Sequence, residues 1–257
     1  MALAIDRAVM PDNGLRNILR QVPPDSVLYL PGLDYGNWYT NKIKDYSGQG
    51  NDGTIGGATT KVLPSDLAYL DFDALDDVVT ITDAVSIQDI FASGGTVQAW
   101  IKPDTGGEGG LGRIAAKGYA NAATKGWLFY LREEVAGFCK IGFLATFDGA
   151  TNGVWKTTLA VVPVGTWSLV GVGYNHSDVA NDPIFYFNNT VPAVTEVSTP
   201  VGAYVSDATR NGLIGNDDDG ANTFDGGIGL DKWIKGTILT EAQSANDYAQ
   251  TRKFFGV

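Results

Sequence analysis

DYSGQGNDGTIGG (residues 45–57) and YLDFDALDDVVTI (residues 69–81) form the stretch that decides the fold. In the first half Gly, Asn, Asp and Ser recur too densely for a helix or a regular strand. Gly48, Gly50, Gly53, Gly56 and Gly57 are expected at positive φ, while Asp45, Ser47, Asn51 and Asp52 bond nearby backbone groups. The expectation is a structured loop. In the second half Leu70 and Phe72, then Val79 and Ile81, recur at period two, with Asp71, Asp73, Asp76 and Asp77 between them. That period sends alternate side chains to opposite faces of a strand, so this half reads as two strands joined by a tight turn.

The chain has 257 residues, is 44% hydrophobic and carries 11 Phe, 11 Tyr and 6 Trp, enough apolar volume for one large sandwich core. Its 33 glycines are dispersed, which implies many turns rather than a low-complexity segment. Eighteen basic against 29 acidic residues give a formal net charge of −11, which repels phosphate backbones and anionic headgroups. Nucleic acid is therefore not an expected partner. Membrane insertion is not expected either, because no apolar run reaches spanning length. The sole cysteine, Cys139 in GFCKIGF, reads as an inert buried thiol on a strand.

Residues 1–25 read as an N-terminal arm ahead of a domain over 26–257. Leu15, Ile18, Leu19 and Val22 fall at helical spacing on one face, and Pro23-Pro24 ends the pattern. So short a helix is marginal alone, and the stripe is expected to dock on another subunit of an assembly. The N-terminus lacks a basic region followed by a long apolar run, so no secretory signal is expected and synthesis in a cytoplasm is. At the other end Thr240 and Gln243 form a capping box for a short helix running to Phe255.

Written D-x-S-G-x-G-N-D-G-T followed by L-D-F-D-x-x-D-D-V-V-T-I, the deciding stretch resembles the laminin G-like jelly rolls of the concanavalin A-like lectin and glucanase superfamily. The resemblance continues in order through SVLYLPGL (26–33), TVQAWIKP (96–103), RIAAKG (113–118), GWLFYL (126–131), GTWSLVGV (165–172), IFYFN (184–188) and FDGGIGLDKWI (224–234). It implies an all-β, two-sheet antiparallel sandwich, to which the residue patterns add the short helical arm and the short C-terminal helix. It also places Trp100 and Trp167 at buried positions. That scaffold carries lectins, adhesion modules, virion proteins and hydrolases alike, so function must come from the site.

His176 is the only histidine, in the turn YNHSD, and reads as an exposed loop residue; one histidine rules out a histidine-rich zinc site. The glucanase pattern E-x-D-x-x-E is absent, and the adjacent Glu133 and Glu134 would face opposite sides of a strand. No enzyme is expected. Many laminin G-like modules hold calcium, and the loop NDDDGANTFDG (216–226) offers Asp217, Asp219 and Asp225 as oxygen ligands, against the alternative of a solvated acidic loop. Trp38 and Tyr39 in DYGNWYTN, with Trp155, are the aromatic candidates for stacking on sugars. The expected function is a non-catalytic structural or interaction module of a virion surface or extracellular assembly, contacting other subunits through the arm. The alternatives are a carbohydrate-binding adhesion module for surface glycans and a glycoside hydrolase or polysaccharide lyase.

Overall fold

A computed structural model describes Ile18 and residues 22–33, 41–118, 126–149 and 151–257. Strands are numbered β1 to β17 in chain order. The seven-stranded sheet runs β14 (Ile184–Phe187), β13 (Ser168–Tyr174), β7 (Gly95–Pro103), β17 (Asp225–Lys235), β5 (Ala68–Asp73) and β4 (Thr59–Val62), with β1 (Ser26–Leu30) also pairing with β17. The ten-stranded sheet runs β15 (Val194–Ser198), β11 (Gly153–Thr157), β10 (Phe138–Ala145), β9 (Trp127–Val135), β8 (Arg113–Lys117), β16 (Gly212–Ile214), β6 (Val78–Ile81), β3 (Gly53–Gly56) and β2 (Lys42–Ile43), with β12 (Val162–Pro163) on β10. The inner faces enclose a core in which Val97, Phe129, Ile141, Phe143, Trp155 and Trp233 have no exposed surface. This is the expected two-sheet antiparallel sandwich.

The deciding stretch supplies its first corner. Asp45 is buried and accepts from the backbone N–H of Tyr29 (3.0 Å), Ser47 (2.8 Å) and Asn51 (2.9 Å), which ties the loop to β1. Gly48, Gly50 and Gly57 take positive φ as expected. Gly53 and Gly56 do not; they lie in β3, so the first half of the stretch does contain a strand. Gly53 is there for space, since a Cβ would stand 2.6 Å from Val79 Cγ1. The two strands of the second half separate at their turn. β5 enters one sheet and β6 the other, with Ala74 at φ 61° and Asp77 Oδ2 accepting from Asp73 N at 3.0 Å. One hydrophobic alternation thus feeds both sides of the core.

A second apolar cluster lies outside the seven-stranded sheet, beneath helix α1 (Glu241–Thr251) and the 3₁₀ turn Arg252–Phe254. The capping box of α1 forms as expected, with Thr240 and Gln243 satisfying each other's backbone N–H. Alternation along β7 sends Val97, Ala99 and Ile101 into the inter-sheet core and Gln98 and Trp100 toward α1. Trp100 and Trp167 are buried as expected, but both belong to this second cluster rather than to the space between the sheets.

Two residues of the N-terminal stripe, Ile18 and Val22, are described. Ile18 is helical, has no exposed surface, and sits in the second cluster, its carbonyl accepting from Tyr29 Oη at 3.0 Å; Val22 packs against the same cluster. Ile18 is therefore covered by the chain's own sandwich, and Val22 is half-buried against it. Leu15 and Leu19 lie outside the described residues. Ile18→Ala is expected to destabilise the fold by about 2–5 kcal/mol, the cost of emptying a closed apolar site. Urea denaturation measures it; an unchanged midpoint would return the stripe to an external partner.

Candidate functional site

The outer face of the ten-stranded sheet follows from strand register. Trp127, Phe129 and Leu131 of β9 point between the sheets, so Leu128, Tyr130 and Arg132 point outward. Pairing Leu213 with Ala116, Ala116 with Leu128, Leu128 with Leu144 and Leu144 with Val154 builds one apolar row across five strands. Ala116, Leu128 and Leu213 are buried in it, while Leu144 and Val154 at its far end are half-buried. The next row sets Arg113 opposite Tyr130, Tyr130 opposite Gly142, Gly142 opposite Lys156 and Lys156 opposite Thr195. Beyond it Arg132 faces Lys140.

Three cations consequently crowd one end of this face. Glu133 lies among them, with Lys156 Nζ at 2.6 Å, Lys140 Nζ at 2.9 Å and Arg132 Nη2 at 3.1 Å from its carboxylate oxygens. Hydrogen bonds from Lys156 and then Lys140 hold its carboxyl down to about 2, so it stays ionised throughout the working range. Gly142 leaves room for this arrangement: a Cβ there would meet Tyr130 Cζ at 2.8 Å and Arg132 Cδ at 3.1 Å. Arg113 lies behind, its guanidinium carbon 5.0 Å from the Tyr130 ring centroid. Glu134 is employed elsewhere, accepting from Gly106 N at 3.0 Å.

Most residues singled out from sequence fall elsewhere. Trp155 is not a stacking platform: it has no exposed surface, its ring stacks on Phe143, and its Nε1 donates to Asp182 at 2.7 Å. Trp38 and Tyr39 lie outside the described residues. The calcium set does not assemble. Asp217 turns inward to accept from Arg113 Nε at 2.6 Å, and burial with the neighbouring Asp219 pushes its carboxyl up to about 7. Asp225 opens β17 and accepts from Thr105 Oγ1 at 2.6 Å. Among the described residues the acids close enough to share an ion are instead Asp73, Asp76 and Asp77 at the β5–β6 corner, with ligand atoms within 4.8 Å of one another. Asp77 is already engaged by the Asp73 amide, and Asp217, Asp219 and Asp225, the donors expected from the resemblance, form no such group.

His176 also corrects its reading. It is buried, with Phe147 and Tyr204 edge-on at centroid distances of 4.3 and 4.6 Å. Burial pushes its imidazole down to about 4, so it is neutral at physiological pH. Cys139 is buried, and burial raises its thiol to about 11, as an inert thiol requires.

No protein-family profile and no curated protein matches the chain. Solved structures share the fold. The binding domain of Paraclostridial Mosquitocidal Protein 1 superposes with a TM-score of 0.65 at 15% identity, over 90% of this chain and 55% of that one. The botulinum neurotoxin serotype D binding domain gives 0.62 at 13%, over 90% and 52%. Domain 4 of AbnA, a GH43 extracellular arabinanase from Geobacillus stearothermophilus in complex with arabinotriose, gives 0.57 at 14%, over 86% and 97%. The chain thus spans about half the length of the toxin domains and nearly all of the arabinanase domain. At these identities the likeness establishes the fold alone, a two-sheet β-sandwich.

Proposed function

We propose that this chain is a non-catalytic, laminin G-like binding module that takes glycans on the outer face of its ten-stranded sheet, presented on an extracellular or virion surface. One observation carries the reading: register gathers half-buried Leu144 and Val154, the hydroxyls of Thr195 and Thr158, and three cations at one end of a single sheet face. Sugar recognition asks for that combination of apolar contact and convergent polar groups. The fold adds support, since the arabinanase domain of matching size was solved with arabinotriose. For the absence of catalysis the support is the employment of Glu133 in an ion cluster and Glu134 in a backbone bond. With Ile18 buried in the chain's own cluster, attachment to an extracellular or virion surface would use a part of the molecule other than that position.

A glycan array probed with the purified protein tests the reading. Binding to a restricted set of saccharides without release of reducing ends is expected. Silence across the array would overturn the binding role, and reducing-sugar release would overturn its non-catalytic character.

A further inference from the structure

We infer that Arg132, Lys140 and Lys156 form the seat for a carboxylate carried by the saccharide, so that the preferred ligand is an acidic sugar rather than a neutral one. The inference rests on the binding-module reading of the same face.

Cross-strand register forces the cluster together. Arg132 lies directly opposite Lys140, and Lys156 lies opposite Gly142, two residues from Lys140 along β10. Like charges at such positions repel, and a single carboxylate among three cations leaves a local surplus of two positive charges. The surplus stands in a chain whose net charge is −11. Arg132 Nε is buried and has no hydrogen-bond partner, an unmet donor beside the surplus.

Glu133 shows what the cluster accepts. It reaches the three cations from a left-handed backbone, φ 51°, at the irregular end of β9, and its side chain remains 34% exposed. A carboxylate held that way is an internal occupant that an incoming carboxylate can displace or share, since each lysine offers three donors. The surroundings fit a sugar better than a bare anion. Leu144 and Val154 offer apolar contact, and Thr158 Oγ1 and Thr195 Oγ1, 2.9 Å apart, stand beside Lys156. The strong negative charge elsewhere opposes a long polyanion, so one acidic group per site is favoured over a nucleic acid or a polysulfated chain.

The test compares a neutral glucose oligosaccharide with one of equal length bearing glucuronate, by calorimetry at low and at physiological salt, with a sulfated oligosaccharide and a single-stranded oligonucleotide as further probes. The carboxylated probe is expected to bind about tenfold tighter than the neutral one and to weaken with salt. Lys140→Gln and Lys156→Gln should each remove most of that preference. Glu133→Gln, which removes the competing internal negative charge, should strengthen acidic-sugar binding severalfold; circular dichroism confirms that each variant folds. Equal affinity for neutral and acidic probes overturns this inference while leaving the binding role intact. So does tighter binding of the sulfated probe or oligonucleotide, or a Glu133→Gln variant that binds no better. No binding of any saccharide overturns both.

Discussion

Trp100→Ala is expected to destabilise the protein by about 3–5 kcal/mol, the range for an aromatic ring removed from a closed core. The ring has no exposed surface and lies parallel to Phe255, with centroids 4.3 Å apart and planes 8° apart. It also stacks on Tyr248 at 5.7 Å, and its Nε1 donates to Thr251 Oγ1 at 2.9 Å. All three neighbours belong to the C-terminal segment, so the substitution would leave a void and loosen the attachment of α1. Trp100→Phe keeps the stacking and loses only the N–H bond, and should cost about 1 kcal/mol beyond the smaller ring's lost area. Chemical denaturation with tryptophan-independent detection separates the two. A Trp100→Ala variant within 1 kcal/mol of the parent would mean that α1 is not held by this ring.

The second large effect is a loss of stability as pH rises, set by Asp231. β17 carries a bulge between Gly229 and Lys232, with Leu230 at φ 42°, and pairs with β5 before it and β1 after it. The extra residue lets Ile228, Asp231 and Trp233 all face inward. Asp231 lines a small cavity with Leu30, Ile43, Leu70, Val79 and Ile214, and neither carboxylate oxygen has a hydrogen-bond partner. Burial pushes its carboxyl from 3.8 up to about 8. A raised folded value means that the native state binds the proton more tightly than the unfolded chain. Its contribution is therefore full below the ordinary value and disappears as pH rises to about 8, on the order of 5 kcal/mol in all. His176 works in the opposite direction, losing stability as pH falls from 6.5 toward about 4. Between pH 6.5 and 8 the aspartate dominates, and the parent should lose roughly 2 kcal/mol across that window. Asp231→Asn should flatten most of the slope. A parent curve that is level there would show that Asp231 reaches solvent or a cation.

The fold was legible because period-two alternation is a local property. Leu70, Phe72, Val79 and Ile81 declare their faces without reference to the rest of the chain, and the Thr240–Gln243 cap declares a helix start in the same way. Sheet membership was not legible at the β5–β6 turn, because two strands joined by four residues can form a hairpin or cross between sheets. Gly53 illustrates a related limit. Composition makes a glycine look like a turn, whereas here it clears space beside Val79 within a strand. Trp155 and His176 were misplaced because exposure depends on long-range packing, against Phe143 and Asp182 in one case and Phe147 and Tyr204 in the other. The three candidate acids of the 216–226 loop look equivalent in sequence, yet Asp217 is committed to Arg113, distant in the chain. The cation cluster was missed for the same reason. Arg132, Lys140 and Lys156 are spaced unremarkably along the chain, and only the pairing of β9, β10 and β11 brings them together.

The most direct test of this account is a crystal structure of the protein with a glucuronate-bearing oligosaccharide. The sugar carboxylate is expected within hydrogen-bonding distance of Lys140 and Lys156, on the outer face of the ten-stranded sheet beside Leu144 and Val154. A saccharide bound instead at the Asp73–Asp77 corner or against α1, with that face empty, would contradict it.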